Sequence, residues 1–296
     1  MNKIMPLILS LILKNMTQKS FRFVCIAACL VALTACRKQS EQPVADADQR
    51  VESFVTTTDV SNSSAKSAKA VKPLEQPASI KGVSEQILKR TGYTVSYNRQ
   101  TKLPNWVAWR LTAAHSEGRV HRENYLFHED EQVKAPRATD GDYYNSRYDR
   151  GHMCPAGDNK WSEQAMEETF LFTNICPQNH ALNKDGWNDL EIACRRWARK
   201  YGEVYIVCGP ILGEEPYQTI GRNKVVVPKA FFKVVLAMKP EPKAIAFVYE
   251  NHGHNNSKMF KNATTIDEVE QLTGINFFPQ LDDVTEDRVE AERGYF

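Results

Sequence analysis

An α+β fold, with a mostly antiparallel sheet flanked by helices, is the class this sequence predicts, and three features predict it. Runs rich in β-branched and aromatic residues at 204–207, 224–227, 231–238 and 244–249 follow one another with short breaks. Strands grouped in this way, with no helix after each, fit a sheet whose helices are segregated from it. Two helical patterns stand apart: one capped by Ser162 and reaching about Leu171, and one over 187–201 stopped by Gly202. Finally, 42% of the 296 residues are hydrophobic, ample for the core of one large domain or two small ones.

The N-terminus is of another kind. Lys19 and Arg22 lead into an apolar run, 23–35, that ends at Cys36, as in an export signal. Leu33-Thr34-Ala35-Cys36 resembles the bacterial lipobox, whose cysteine is lipidated and becomes the first mature residue. Residues 1–36 are therefore expected to be a lipoprotein signal peptide, with Met16 the more natural start. The run falls short of the roughly 20 apolar residues of a comfortable membrane span, although an uncleaved anchor is the alternative. Residues 37–85 are poor in aromatics and rich in Ser, Ala, Thr, Lys, Asp and Gln, too polar to repay their ordering entropy, and read as a tether. That leaves 86–296 as the folded domain. The expected location is outside the cytoplasm, lipid-anchored through Cys36 to a bacterial membrane, the outer one facing periplasm or cell surface.

Within the domain, 107–111 alternates as a further strand, and Trp187, Leu190, Cys194, Trp197 and Ala198 make the apolar stripe of the long helix. Glu191 and Arg195 lie four residues apart along the edge of that stripe, where they can pair. The net charge of +2 is too small to hold a polyanion by bulk electrostatics. Phosphate binding would need a local cluster such as Arg195, Arg196, Arg199 and Lys200, which otherwise reads as a solvated helix face. Of the cysteines, Cys154, Cys176, Cys194 and Cys208 remain once the N-terminal ones are set aside. They contain no CxxC pair, which argues against structural zinc, and their apolar surroundings favour buried thiols or one disulfide.

The chemistry centres on Asp149-Arg150-Gly151-His152 and on Asn183, Glu191 and Arg195 further along. A neutral histidine takes a proton from water near neutral pH, and an Asn oxygen suits a hard cation that keeps most of its waters. Gly151 allows a bend or a close substrate approach. Asp149 reads as an orienting partner more than as a metal ligand. His115, His121, His128, His180, His252 and His254 have no motif around them and read as surface or packing residues.

These motifs resemble the sugar-non-specific DNA/RNA endonucleases, the endonuclease G-like family. The resemblance runs from about Tyr93 to Phe278 through Asn105-Trp106-Val107-Ala108-Trp109, the Asp149 to His152 motif, Thr173-Asn174-Ile175-Cys176-Pro177-Gln178, Leu182-Asn183, the 187–195 helix, Cys208-Gly209-Pro210 and Val227-Pro228-Lys229-Ala230-Phe231-Phe232-Lys233. It implies a ββα-metal site of the His-Me finger type. His152 would be the general base, with Arg150 and Asp149 beside it. Asn183 would be the direct ligand of Mg²⁺, for which Mn²⁺ can substitute, and Glu191 would act through the metal's waters. Arg195 would contact phosphate and Asn174 would help to hold the site. Arg122 matches the family's upstream arginine, with Arg119 as its competitor. The family also permits a homodimer.

None of these groups reads a base edge, so the expected substrates are DNA and RNA without sequence preference. Tyr143, Tyr144 and Trp161 are candidate stacking residues, with core packing the default for Trp161. Two other readings compete: a non-catalytic surface lipoprotein that binds nucleic acid or protein on a nuclease fold, and a narrower phosphodiesterase.

Overall fold

The apolar residues of the strands alternate in two sets, and the two sets build two cores on opposite faces of one sheet. The computed structural model describes residues 73–253 and 258–296. Its strands are β1 (Gln86–Lys89), β2 (Thr94–Asn98), β3 (Leu103–Thr112), β4 (Asp149–His152), β5 (Ile175–Gln178), β6 (Glu203–Ile211), β7 (Thr219–Ile220), β8 (Val225–Val226), β9 (Ala230–Ala237), β10 (Lys243–Glu250) and β11 (Ala263–Thr264). The helices are α1 (Asp140–Tyr143), α2 (Glu163–Glu168), α3 (Asn188–Tyr201), α4 (Ile266–Thr273) and α5 (Asp283–Ala291).

Seven strands form the central sheet in the order β1-β2-β3-β6-β9-β10-β11, each pair antiparallel. This is the expected α+β class. The strands expected at 107–111, 204–207 and 244–249 lie within β3, β6 and β10, and the one expected at 231–238 is β9, which ends one residue earlier. The strand expected at 224–227 does not join the sheet: β8 pairs only with β7, in a separate ribbon. Two residues of ladder cannot compete with the eight-residue register of β9 against β10.

On one face, Phe231, Val235, Ile206, Cys208, Trp109 and Phe247 pack under α3. On the other, Phe232, Val234, Leu236, Val207 and Val248 pack under α4 and α5. Strand β9 is buried at every position, so both of its faces are core. α3 follows its predicted stripe and ends at Gly202, whose φ of +84° breaks the helix. α2 starts at the predicted cap, Ser162 accepting from Ala165 N at 3.3 Å, but ends at Glu168. The next backbone amides, those of Thr169, Phe170 and Leu171, bond three residues back and tighten the turn.

The tether was expected to reach residue 85, but it ends earlier. Leu74 and Ile80 pack against the α4–α5 core, Ala78 N donates to Asn276 O at 3.0 Å, and Gln280 donates to Gln76 O at 3.1 Å. This stretch anchors through a few apolar residues set in polar sequence, so composition alone hides it. The signal peptide, Cys36 and the rest of the tether lie outside the described residues. Cys154, Cys176, Cys194 and Cys208 are buried free thiols, which resolves the choice between thiols and one disulfide. Among the described residues, no helix is long and apolar enough to cross a membrane.

Candidate active site

β4 and β5 pair antiparallel, Asp149 opposite Gln178 and His152 opposite Ile175, and β5 leads into a helical run that becomes α3. The first part of that run, Leu182–Trp187, is a wide π-helical stretch. Asn183 therefore sits inside a helical run and not in a loop. His152 ends β4 and is pinned from both sides. Its carbonyl accepts from Trp187 Nε1 at 3.2 Å, and the next amide, Met153 N, donates to Asn174 O at 2.9 Å. The Asn174 side chain accepts from Cys154 N at 2.9 Å and donates to Cys154 O and Thr169 O at 2.9 and 2.8 Å. It is fully committed to bracing the chain after His152.

The His152 ring is 9% exposed and packs against Phe127 and Phe170, centroids 5.3 and 5.1 Å away. Its Nε2 makes no hydrogen bond among the described residues. Burial, helped by the Arg122 guanidinium, lowers its pKa to about 3, so the imidazole is neutral across the physiological range. Arg122 lies over Phe170, its guanidinium carbon 5.8 Å from the ring centre. Of the two upstream arginines, Arg122 is thus the one whose charge acts on His152.

Asp149 and His152 point to opposite faces of β4. Asp149 Oδ2 accepts from Asn183 Nδ2 at 2.9 Å and is 2.9 Å from His180 Nδ1. The first bond fixes which end of the Asn183 amide is nitrogen, leaving its oxygen to face a ligand. Such a donor set fits Mg²⁺, which takes one or two protein oxygens and retains several waters. Asp149 acts here as an orienting group. His180, expected to be an ordinary surface residue, belongs to the same cluster.

Glu191 and Arg195 are spaced so that they can pair with each other. Instead, Arg195 Nη1 donates to Asp158 Oδ1 at 2.9 Å, while Asp158 Oδ2 accepts from Trp109 Nε1 at 3.1 Å. Asp158 is almost fully buried and outcompetes the partly exposed Glu191, because a buried carboxylate without a partner would cost more. Gly157 leaves room for this bond: a Cβ there would meet Arg195 Nη1 at 2.9 Å. The pair uses one of the five Arg195 donors and leaves others for phosphate. Burial raises the Glu191 pKa to about 7, opposed first by Lys233 and then by Arg195 and Arg122.

Lys233 is the residue that sequence reading passed over. It lies in the middle of β9, is fully buried, and its Nζ has no hydrogen-bond partner among the described residues. The ammonium sits 4.4 Å from the Trp187 ring centre and 5.4 Å from that of Trp109. Two desolvated cation–π contacts, each worth about 2 kcal/mol, do not offset a burial cost of several kcal/mol. Glu191 and Asp158, together with the Cys208 and Cys194 sulfurs, hold its pKa up against that burial. A lysine inside a strand otherwise apolar on both faces was the available signal, and Asp158, six residues past His152 but outside the motif, offered none.

Arg150 pairs with Asp140 at 2.7 Å and lies over Phe127, the ring that covers His152. Gly151 serves packing and not substrate approach, since a Cβ there would meet the Gln178 side chain at 2.3 Å. Of the stacking candidates, Tyr143 is buried, Tyr144 is exposed, and Trp161 is exposed and stacked on His115 at 4.9 Å. Phe172 draws Tyr143 inward, while Trp161 has no core to join. The basic cluster separates: Arg199 donates to Ser116, Lys200 lies over Tyr201, and Arg195 alone turns inward.

The chain is similar to known proteins over most of the described residues. The family model for DNA/RNA non-specific endonucleases matches residues 70–284. A mitochondrial nuclease EXOG of Danio rerio is 37% identical over 206 residues, covering 64% of this chain and 60% of that protein. A mitochondrial endonuclease G of Bos taurus is 34% identical over 209 residues, covering 66% of this chain and 70% of that protein. The match thus spans somewhat over half the length of the EXOG relatives. Among solved structures, a complex of EndoG with EndoGI aligns with a TM-score of 0.64 at 31% identity, over 67% of this chain and 87% of that one. With the β4–β5–α3 unit and its motifs in the family's order, the chain belongs to the DNA/RNA non-specific endonuclease family.

Proposed function

We propose that this protein is a Mg²⁺-dependent endonuclease that hydrolyses phosphodiester bonds in DNA and RNA. The observation that carries the reading is a buried, neutral His152 with an unpaired Nε2, joined through β4 to an Asn183 oxygen that Asp149 has oriented. A binding module has no physical need of that combination. His152 takes a proton from the attacking water as the new P–O bond forms, and the opposite ester P–O bond breaks in line. The leaving oxygen takes its proton from solvent. Phe127 and Phe170 exclude bulk water from the base, and an anionic phosphate placed beside it raises the low basicity that burial imposes. Arg122 and Arg195 supply phosphate contacts, Arg195 with its orientation held by Asp158. Asn183 would hold Mg²⁺ directly and Glu191 through water; the bound ion supplies charge stabilisation at the phosphate. Sequence selectivity is weak because the named groups address phosphate.

The second part of the proposal is location: export, and anchoring through lipidated Cys36. Its support is the sequence pattern alone, an apolar run closed by a lipobox-like Leu-Thr-Ala-Cys.

Purified protein is expected to cut circular DNA and RNA in Mg²⁺ and to stop in excess chelator. His152→Ala should slow both by about 10²–10⁴-fold while DNA binding persists. Cleavage within about twofold of wild type would remove His152 from the role of base.

Metal and pH dependence test the other arm. Asn183→Ala should raise the Mg²⁺ concentration for half-maximal rate, with part of the loss restored by excess Mg²⁺. Glu191, its pKa raised to about 7, gains a proton as pH falls through that value and stops accepting from water. Mg²⁺ should therefore bind metal-free protein more weakly below about pH 7, and Glu191→Gln should lose that dependence along with about 10–100-fold in rate. Superimposable metal titrations and pH profiles for the three proteins would refute the assignment.

Cys36→Ser should free the nuclease from membranes without loss of activity, because one covalent lipid is the attachment and the domain lies beyond the tether. Detergent phase separation reads this directly. Membrane retention of the variant at the wild-type level would contradict the anchor.

A further inference from the structure

A second cluster of carboxylates lies across the central sheet from the site. Asp267 and Glu270 are on α4, Glu290 is on α5, and one oxygen of each lies within 4.8 Å of the others. Acidic groups gather on many surfaces, but Glu290 is not a surface group. It is 6% exposed, beside the core residues Val289 and Val269, and its Oε1 has no hydrogen-bond partner among the described residues. Native interiors rarely leave a carboxylate oxygen unsatisfied, because its desolvation is not returned.

The surrounding charges deepen the problem. After burial, the strongest influences on Glu290 are Glu270, Glu286, Asp267 and Asp287, all of which raise its pKa, to about 9 in all. Arg288 is next in the helix, but its guanidinium donates to Pro242 O at 3.1 Å. A hard cation would balance the charge and satisfy the orphaned oxygen together. The ligand set favours calcium, which accepts several carboxylates in a flexible geometry, whereas magnesium demands a near-ideal octahedron and keeps most of its waters. Glu270 Oε1 accepts from Phe277 N at 2.7 Å, which leaves five carboxylate oxygens, with water able to complete the roughly six to eight that calcium takes.

We propose that Asp267, Glu270 and Glu290 form a divalent-cation site, suited to calcium, that fastens α5 to α4 and is separate from the Asn183 site. The helices belong to the layer on the far face of the sheet, where Val269 and Val289 already share a core. The cation would tie together the ends of that layer and act on stability, with no part in turnover. The proposal does not rest on the nuclease reading.

The test uses Asn183→Ala protein, so that the other candidate metal position is disabled, with calcium chloride as the probe. Calorimetric titration should show calcium uptake. The melting temperature should rise by about 5–10 °C at a calcium concentration about 100 times the Kd, with a smaller rise in equal Mg²⁺. Adding Glu290→Gln, or Asp267→Asn if that protein fails to fold, should abolish both uptake and shift. Glu290→Gln in the wild-type background should leave nuclease activity in Mg²⁺ unchanged. No calcium uptake at about 10 mM, well above the Kd of weak calcium modules, would overturn the proposal. So would uptake and a shift that survive both substitutions. A higher melting temperature for Glu290→Gln in chelator, with no response of its parent to calcium, would identify a simple protonated carboxyl and also overturn it.

Discussion

The buried ammonium of Lys233 is the interaction around which the site is arranged. It lies between the indoles of Trp187 and Trp109, and each indole uses its N–H to hold a different arm. Trp187 bonds the His152 carbonyl, and Trp109 bonds Asp158, which in turn fixes Arg195. One charge therefore sets the position of the His152 backbone and of the Arg195 guanidinium, through rings that belong to the α3 core and to β3. The same charge opposes the burial of Glu191. A buried cation is expensive, and the protein keeps it because β9 is rigid, buried on both faces and paired along its length with β6 and β10.

Around that centre the β4–β5–α3 unit divides labour by strand alternation. His152 and Arg150 face the Phe127 side, where water is excluded and the imidazole stays neutral. Asp149 faces the helical stretch ahead of α3 and orients the Asn183 amide. A strand with one residue more or fewer between Asp149 and His152 would put the two side chains on the same face. Gly151 is required between them because Gln178 fills the space a side chain would need.

Much of this was legible in the sequence. The long helix, its stripe and its glycine stop were readable from periodicity, and four sheet strands from β-branched runs, because those patterns report burial directly. The hairpin of β4 with β5, leading into the helical run that carries Asn183 and Glu191, followed from motif order. Three things were not legible. The ion pair of Arg195 with Asp158 depends on a tertiary choice between two carboxylates, and spacing along α3 pointed to the wrong one. Tyr143 and Trp161 exchanged their expected places because partners distant in sequence, Phe172 and His115, decide their burial. The start of the folded body was placed at residue 86 because Leu74 and Ile80 are too sparse to alter the polar composition around them.

The central claim is that Lys233 organises the site electrostatically, and Lys233→Met tests it most directly by comparing turnover with stability across pH. Methionine fills the same space, but removing one member of a buried charge cluster destabilises it unless the carboxylates left behind take up protons. The account predicts a melting temperature below that of the wild type at high pH, with the deficit shrinking as pH falls and Glu191 protonates. It also predicts at least about a 10-fold loss of kcat/KM at pH 7, shrinking as pH rises, because Glu191 without Lys233 titrates higher still. Wild-type kcat/KM at pH 7, or a loss that is the same at every pH, would contradict it.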